Sequence, residues 1–366
     1  MAILHVFNPD HDIALASDLR NFTAPHAGRQ LRNDMGFFAA LWIEDNAISD
    51  DFSVNASQEH LVLVDNVRQA TVAWSRLRNR IGRPSCTFVD SAMLQQIHIS
   101  EVKPWGWNKS LRTSLIRHGI EEKVLPSESA LEQYRNLSHR RVAMALLAEL
   151  QCTGTVGEAF VCDDVASVSN YLDKYGKIVV KAPWSSSGRG VHFVDRLRFS
   201  ASHFQGWLNN IILQQGSVMV EPLYNKVLDF AMEFYADGRG RTEYRGLSLF
   251  HTKNGFYTGN VIATEAAKTS FLCRYVTEDS LLRVRNMIID KLDVAPYQGP
   301  FGVDMMVCAS EPGKRSEFLL HPCVEINLRR TMGHVALSLS GDDDEQRRVM
   351  RIVYDGKKYK LNIRKL

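Results

Sequence analysis

The stretch IVVKAPWSSSGRGVHFV, residues 178–194, sets a lysine at the end of an apolar run, then a serine- and glycine-rich loop, then a second apolar run. A Walker-type phosphate loop carries its lysine after the glycines, at a helix start. Here Lys181 precedes Gly188 and Gly190, and the chain returns into another strand-like run. Strand, lysine, loop, strand describes a hairpin. Such a hairpin could close over phosphates, with Lys181 as a point charge and the loop's N–H groups and serine hydroxyls as donors. A solvated lysine beside an ordinary hairpin explains the same residues as well, so neighbouring segments must decide.

A chain of 366 residues is longer than most single cores support and predicts two or three domains. Lys and Arg number 44 against 41 Asp and Glu, a formal charge of +3, and the basic residues are scattered. That disfavours a general nucleic-acid partner. Cys86, Cys152, Cys162, Cys273, Cys308 and Cys323 form no CxxC pair, which signals neither a zinc ribbon nor a disulfide scaffold. The opening MAILHVFNPDHD reads as a first strand and not as a signal peptide, and no window approaches a membrane span. The expectation is a cytoplasmic protein without a membrane partner.

The predicted fold class is α/β followed by α+β. AILHVF, HLVLVD and CTFVD read as short buried strands separated by helical stretches such as NVRQATVAWSRLRNRI, a pattern of parallel strands with crossovers. SLRTSLIRHGI reads as a helix closed by Gly119, and Ser127 as the N-cap of the next helix. After Leu150 strand-like runs dominate: KIVVKA, GVHFVD, VMVEPL, LDFAMEFYADG, YRGLSLFHT, GFYTGNVIA, FGVDMMV and FLLHPCVEIN. Asp237-Gly238 and Asp355-Gly356 read as hairpin turns between such runs. VASVSNYLDKYG, ASHFQGWLNNII and EDSLLRVRNMIIDKL are the helices predicted in this half.

Polar residues inside apolar strands carry the chemistry. Glu221 ends one strand and Asp229 leads another; Asp304 sits within GVDMMV, and Glu325 and Asn327 are two apart in VEINLRR. Residues i and i+2 of a strand face the same way, so Glu325 and Asn327 present two oxygen ligands to one side. A carboxylate on an adjacent strand would complete a site for magnesium, which takes sparse oxygen sets and fills its octahedron with water and phosphate. The alternative, pairing with arginines, is disfavoured because unpaired charge in an apolar strand is costly.

In this order the features resemble the ATP-grasp superfamily: LSHRRVAMALLAEL, VVKAPWSSSGRGV, VEPL, GVDMMV and VEINLRR, over roughly residues 137–334. The resemblance implies an ATP-grasp fold preceded by a Rossmann-like α/β domain, with residues 1–130 as that front domain, 131–215 as the lid subdomain and 216–366 as the large subdomain with the metal site. It implies Lys181 on the α- and β-phosphates, and Ser185, Ser186, Ser187, Gly188, Arg189 and Gly190 as the lid. Glu221 and the Leu223 backbone would hold adenine, and Asp229 the ribose. Asp304, Glu325 and Asn327 would hold one or two Mg2+, with Mn2+ as an alternative ion. Where similar proteins carry a first lysine this chain has Arg140 and Arg141, with Arg140 favoured over Arg141 by its distance from the helix end, and arginine suits phosphate as a bidentate fork. Arg329, Arg330 and Lys253 would contact the transferring phosphate or an acidic substrate.

In the front domain, FNPDHDIALA places Asn8, Asp10, His11 and Asp12 at the carboxyl end of the first strand, where open α/β sheets bind ligands. An Asn-Pro turn capping the next helix through Asp10 or Asp12 is the structural alternative. Trp105 and Trp107 could line a pocket or simply pack, and His334 reads as structural. The resemblance implies an ATP-dependent ligase joining a small-molecule or peptide-like carboxylate to an amine through an acylphosphate. A kinase acting on a hydroxyl and a non-catalytic nucleotide-binding module are the alternatives.

Overall fold

A computed structural model describes residues 2–43, 59–83, 85–185, 190–253, 256–310, 318–341 and 347–365. The chain divides into two compact units: residues 1–135 with 260–263 and 329–366, and residues 136–259 with 264–328.

The first unit opens with β1 (Ala2–Val6), β2 (Glu59–Leu63), β3 (Thr87–Val89) and β4 (Ile99–Pro104), all parallel, in the order β3-β2-β1-β4. The apolar runs predicted the first three. β4 escaped the sequence reading because ISEVKP is an edge strand that tolerates charge and ends on a proline, so it lacks the uninterrupted apolar signature of a central parallel strand. The crossover helix Val67–Ile81 starts where the Asn66 side chain accepts the Gln69 N–H at 2.9 Å. It stops at Gly82, whose φ of 69° is left-handed backbone that suits glycine. Ser127 caps its helix as predicted, accepting from the Ala130 N–H at 3.1 Å.

The second unit holds two antiparallel sheets. β5 (Phe160–Cys162), β6 (Ile178–Lys181), β7 (Val191–Val194) and β8 (Val218–Pro222) lie in the order β5-β8-β6-β7. Helices Val165–Tyr175 and Ser202–Gln215 bury Val168, Leu172, Phe204 and Leu208 in one core with Ile178, Val180, Val218 and Val220. In the other sheet β9 (Lys226–Asp237) lies between β10 (Thr242–Lys253) and β12 (Gln298–Ala309), and β12 pairs with β13 (Phe318–Asn327). Alternation along β9 decides the faces: Phe230, Met232 and Phe234 share one side, and Asp229, Ala231 and Glu233 the other. The Asp237 hairpin is present, its carboxylate accepting from the N–H groups of Arg239 and Arg241 at 2.7 and 3.0 Å.

β11 (Phe256–Ile262) is shared out by the division, with Asn260–Ile262 counted in the first unit. There these residues pair with β14 (Arg348–Tyr354), which forms a hairpin with β15 (Tyr359–Lys365) through Asp355-Gly356. Residues 329–366, placed by the sequence reading with the metal strands, therefore cluster with the front domain. The packing reason is an apolar core in which Val335, Ala336, Leu339 and Met350 join Phe7, Phe38, Trp42, Val62 and Trp105. The helix Met332–Leu339 was not predicted; it starts at a reciprocal cap between Thr331 and His334, and that gives His334 a structural role. Among the described residues no helix is long and apolar enough to cross a membrane.

Candidate functional site

In the second unit the β6–β7 hairpin is built as the sequence implied. Antiparallel pairing brings Lys181 opposite Val191, and the Ala182 N–H donates to the Gly190 carbonyl at 2.8 Å, closing the base of the loop. Gly190 admits no side chain, since a Cβ there would lie 2.5 Å from the Ser185 Cβ. Ser186, Ser187, Gly188 and Arg189 lie outside the described residues.

Lys181 is 5% exposed and its ammonium donates to both oxygens of Glu221, itself 7% exposed, at 2.6 and 2.7 Å. The pairing follows from register. Glu221 on β8 stands opposite Val179, which puts Lys181 on the diagonal of the same sheet face. Arg140, the residue favoured in the sequence, opens the helix Arg140–Glu149 and is buried, whereas Arg141 is exposed. Its guanidinium donates to Glu325 Oε1 at 2.7 Å, to Ser185 Oγ at 2.8 Å and to the Ala182 carbonyl. One arginine thus ties the loop base to β13.

The β12–β13 register assembles the candidate metal ligands. Asp304 stands opposite Glu325, and Gly302 opposite Asn327. Paired residues share a face, so two carboxylates and one amide from neighbouring strands look the same way. A hard cation suits such oxygens, and the set leaves coordination positions for water and phosphate. Among the described residues no three His, Cys, Asp or Glu side chains cluster to hold a metal, so the set depends on the Asn327 amide. The register slips between Asp304 and Met306, where the facing strand runs from Glu325 to His321 through Pro322, a residue with no N–H to give the ladder.

Four residues on this face escaped the sequence reading. Glu233, 1% exposed, lies opposite Gly302, and Ser248, 2% exposed, opposite Ala231. The alternation Asp229, Ala231, Glu233 was the available signal for Glu233. His321 lies opposite Met306; burial and then the Lys181 charge lower its pKa to about 3. Cys323 is fully enclosed, and burial followed by the Glu221 charge pushes its thiol upward, which keeps it protonated and unsuited to nucleophilic work.

The remaining predicted contacts are more dispersed. Asp229 accepts from Lys226 and Thr252, both at 2.6 Å. Leu223 is exposed and its N–H donates to the Lys177 carbonyl at 3.1 Å. Lys253 is exposed at the end of β10.

Arg329 and Arg330 belong to the first unit. Arg329 donates through Nε and Nη2 to the two oxygens of Asp12 at 2.6 and 2.7 Å, a bidentate pair across 317 residues of sequence. Arg330 donates its backbone N–H to the Trp105 carbonyl at 2.8 Å, and its guanidinium lies 4.7 Å from the Trp42 ring centre. The N-cap residue Asp10 makes no side-chain cap bond to the helix His11–Ser17. Asn8 binds the backbone of Gly106 in both directions, at 2.8 and 3.3 Å, and His11 packs on Gly106 beside Asn108 at 3.2 Å. Burial lowers the His11 pKa to about 4. Trp105 packs in the core, edge-on to Phe7 at 5.2 Å.

No family model matches the chain, and no curated protein matches it. Among solved structures it is similar to a biotin carboxylase from Campylobacter jejuni in complex with β,γ-ATP. That match has 11% identity and a TM-score of 0.51 and covers 96% of this chain and 75% of that one. An N5-carboxyaminoimidazole synthetase from Staphylococcus aureus complexed with ADP is also similar, at 11% identity, TM-score 0.49, and 96% and 82% coverage. The fold is ATP-grasp preceded by an α/β domain.

Proposed function

We propose that this protein is an ATP- and Mg2+-dependent ligase that joins a carboxylate to an amine. The observation that carries the reading is the shared face of Asp304, Glu325 and Asn327, with Arg140 holding Glu325 and Ser185 together beside it. The similarity to a biotin carboxylase supports a nucleotide-binding fold of this kind.

In this reading Lys181 and Arg140 each give part of their carboxylate pairing to phosphate oxygens, as charge-assisted bonds require. Glu221 and the Leu223 carbonyl take the adenine, and Asp229 the ribose. Asp304, Glu325 and Asn327 would hold Mg2+, which neutralises phosphate charge when bound. A substrate carboxylate oxygen attacks the γ-phosphorus, the bond to the β-γ bridging oxygen breaks, and ADP departs. The amine then attacks the acyl carbon and loses a proton, the acyl C–O bond to the phosphoryl group breaks, and inorganic phosphate leaves with that oxygen and the bonding electron pair. The chain supplies position and charge, with Arg329, Arg330 and Lys253 as candidate contacts for the acidic groups, and no protein nucleophile is needed.

The test is ATP turnover across acid and amine mixtures together with Glu325→Gln. ADP and phosphate released only when acid and amine are both present support the ligase. A stable phosphorylated product would replace it with a kinase. Mg-ATP binding without turnover would point to a binding module. Turnover unchanged in Glu325→Gln would remove the metal assignment.

A further inference from the structure

The first unit carries a second feature that the ligase reading does not use. A groove of about 490 Å3 runs between the helix Val67–Ile81 and the start of β15. Its rim is basic: Arg68, Arg76 and Arg80 on the helix, Lys358 and Lys360 on the hairpin. Its floor is apolar, with Met35, Phe37, Ala73, Leu77 and Leu361.

Charge in the groove is unbalanced. Asp34 is the one carboxylate in the lining, and its oxygens already accept from Gln69 at 3.4 Å and the Tyr359 N–H at 2.9 Å. Lys360 pairs with Asp355 at 2.5 Å. Arg68, Arg76, Arg80 and Lys358 have no ion-pair partner among the described residues, and the three arginines are exposed. Like charges at Arg76 and Arg80, four apart on one helix, cost a few tenths of a kcal/mol, so helix stability does not explain the arrangement.

Spacing narrows the occupant. Arg68, Val72, Arg76 and Arg80 recur every fourth residue and form one stripe; four helical residues rise about 6 Å, and the whole stripe about 18 Å. In an extended peptide, side chains on one face recur every two residues, about 6.6 Å apart, and seven residues span about 20 Å. The two repeats match. Val72, 46% exposed, interrupts the cations and offers an apolar contact at the second place in the stripe. Lys358 and Lys360, two apart, repeat the same interval on the other wall.

We infer that this groove docks an extended acidic peptide whose alternate residues follow the order acidic, apolar, acidic, acidic, in either chain direction. The apolar floor argues for a peptide over a nucleic acid strand, whose phosphates would leave Val72 and Leu77 without a partner.

The test is fluorescence anisotropy on the full chain with a labelled Glu-Ser-Leu-Ser-Glu-Ser-Glu peptide, its reverse, and a version with Lys for each Glu. An oligothymidine of equal charge forms a fourth arm. Expected is binding by at least one acidic orientation that weakens with salt, no binding by the lysine peptide, and weaker binding by the oligonucleotide. Arg76→Glu with Arg80→Glu should cost the acidic peptide at least tenfold, and this variant should gain affinity for the lysine peptide. Arg239→Glu, an exposed arginine that is not among the lining residues, should change nothing. Circular dichroism of the double variant checks its fold, and Arg76→Gln with Arg80→Gln offers a milder pair whose loss should be at least threefold. Equal peptide affinity in wild type and either double variant overturns the inference, as does tighter binding of oligothymidine.

Discussion

In the proposed ligase, Lys181 and Glu221 form a pair that serves stability and nucleotide binding together. The pair is buried, and removing one partner of such a pair leaves an uncompensated charge that costs about 3–5 kcal/mol. Lys181→Ala should therefore lower both nucleotide affinity, by tenfold or more, and folding stability. Adding Glu221→Gln should recover part of the stability without restoring nucleotide binding, which denaturant unfolding and ATP titration would separate. Two histidines make a second prediction. His11 and His321 are buried with pKa values lowered to about 4 and about 3, against an unfolded value of about 6.5. The unfolded chain binds more protons than the native one in that range, so stability falls as pH drops below about 6.5 and keeps falling until each native pKa is passed. Each neutral histidine contributes a slope of about 1.4 kcal/mol per pH unit. His321→Leu should flatten the pH dependence of the unfolding midpoint between pH 6 and 4, and a slope unchanged in that variant would contradict the buried neutral state.

Register decides at the scale of the element what residue types alone leave open. The sequence placed Glu325 and Asn327 on one face of a strand, but only the pairing of β12 with β13 set Asp304 opposite Glu325. Asp304→Asn should abolish turnover while leaving nucleotide affinity within about threefold, the same split expected for Glu325→Gln; nucleotide binding lost in both would move these residues from metal to nucleotide contacts. Close packing at the end of β4 gives another test. A Cβ at Gly106 would stand 2.6 Å from the His11 ring, with Asn8 and Asn108 fixing both sides. Gly106→Ala should destabilise by about 1–3 kcal/mol, the usual cost of overpacking, measured as a lower denaturant midpoint. Strand and helix assignments in the sequence were good wherever apolar periodicity was strong, as in β6, β8, β9 and β13. They failed for β4 and for the helices Glu265–Leu272 and Met332–Leu339, where polar edges or short length hide the period.

For the whole molecule, the chain's path matters more than its order. The core of the first unit is completed by Val335, Ala336, Leu339 and Met350, which lie some two hundred residues beyond the parallel sheet. A fragment of residues 1–135 should lack that core and show little near-ultraviolet circular dichroism, while adding residues 329–366 in trans should restore part of it. A well-folded fragment 1–135 would show that the parallel sheet holds its core alone. Mg-ATP at a hundredfold excess over its dissociation constant should stabilise the intact chain by about 2.7 kcal/mol, read as a raised unfolding midpoint. The amino-acid order by itself determined the hairpin around Lys181, the alternation that exposes carboxylates along apolar strands, and the front α/β pattern, because these depend on neighbours within a few residues. Tertiary structure alone decided that Asp304 meets Glu325 and that Arg329 pairs with Asp12. Such choices rest on strand register and on packing between residues far apart in the chain, and local periodicity carries no record of them.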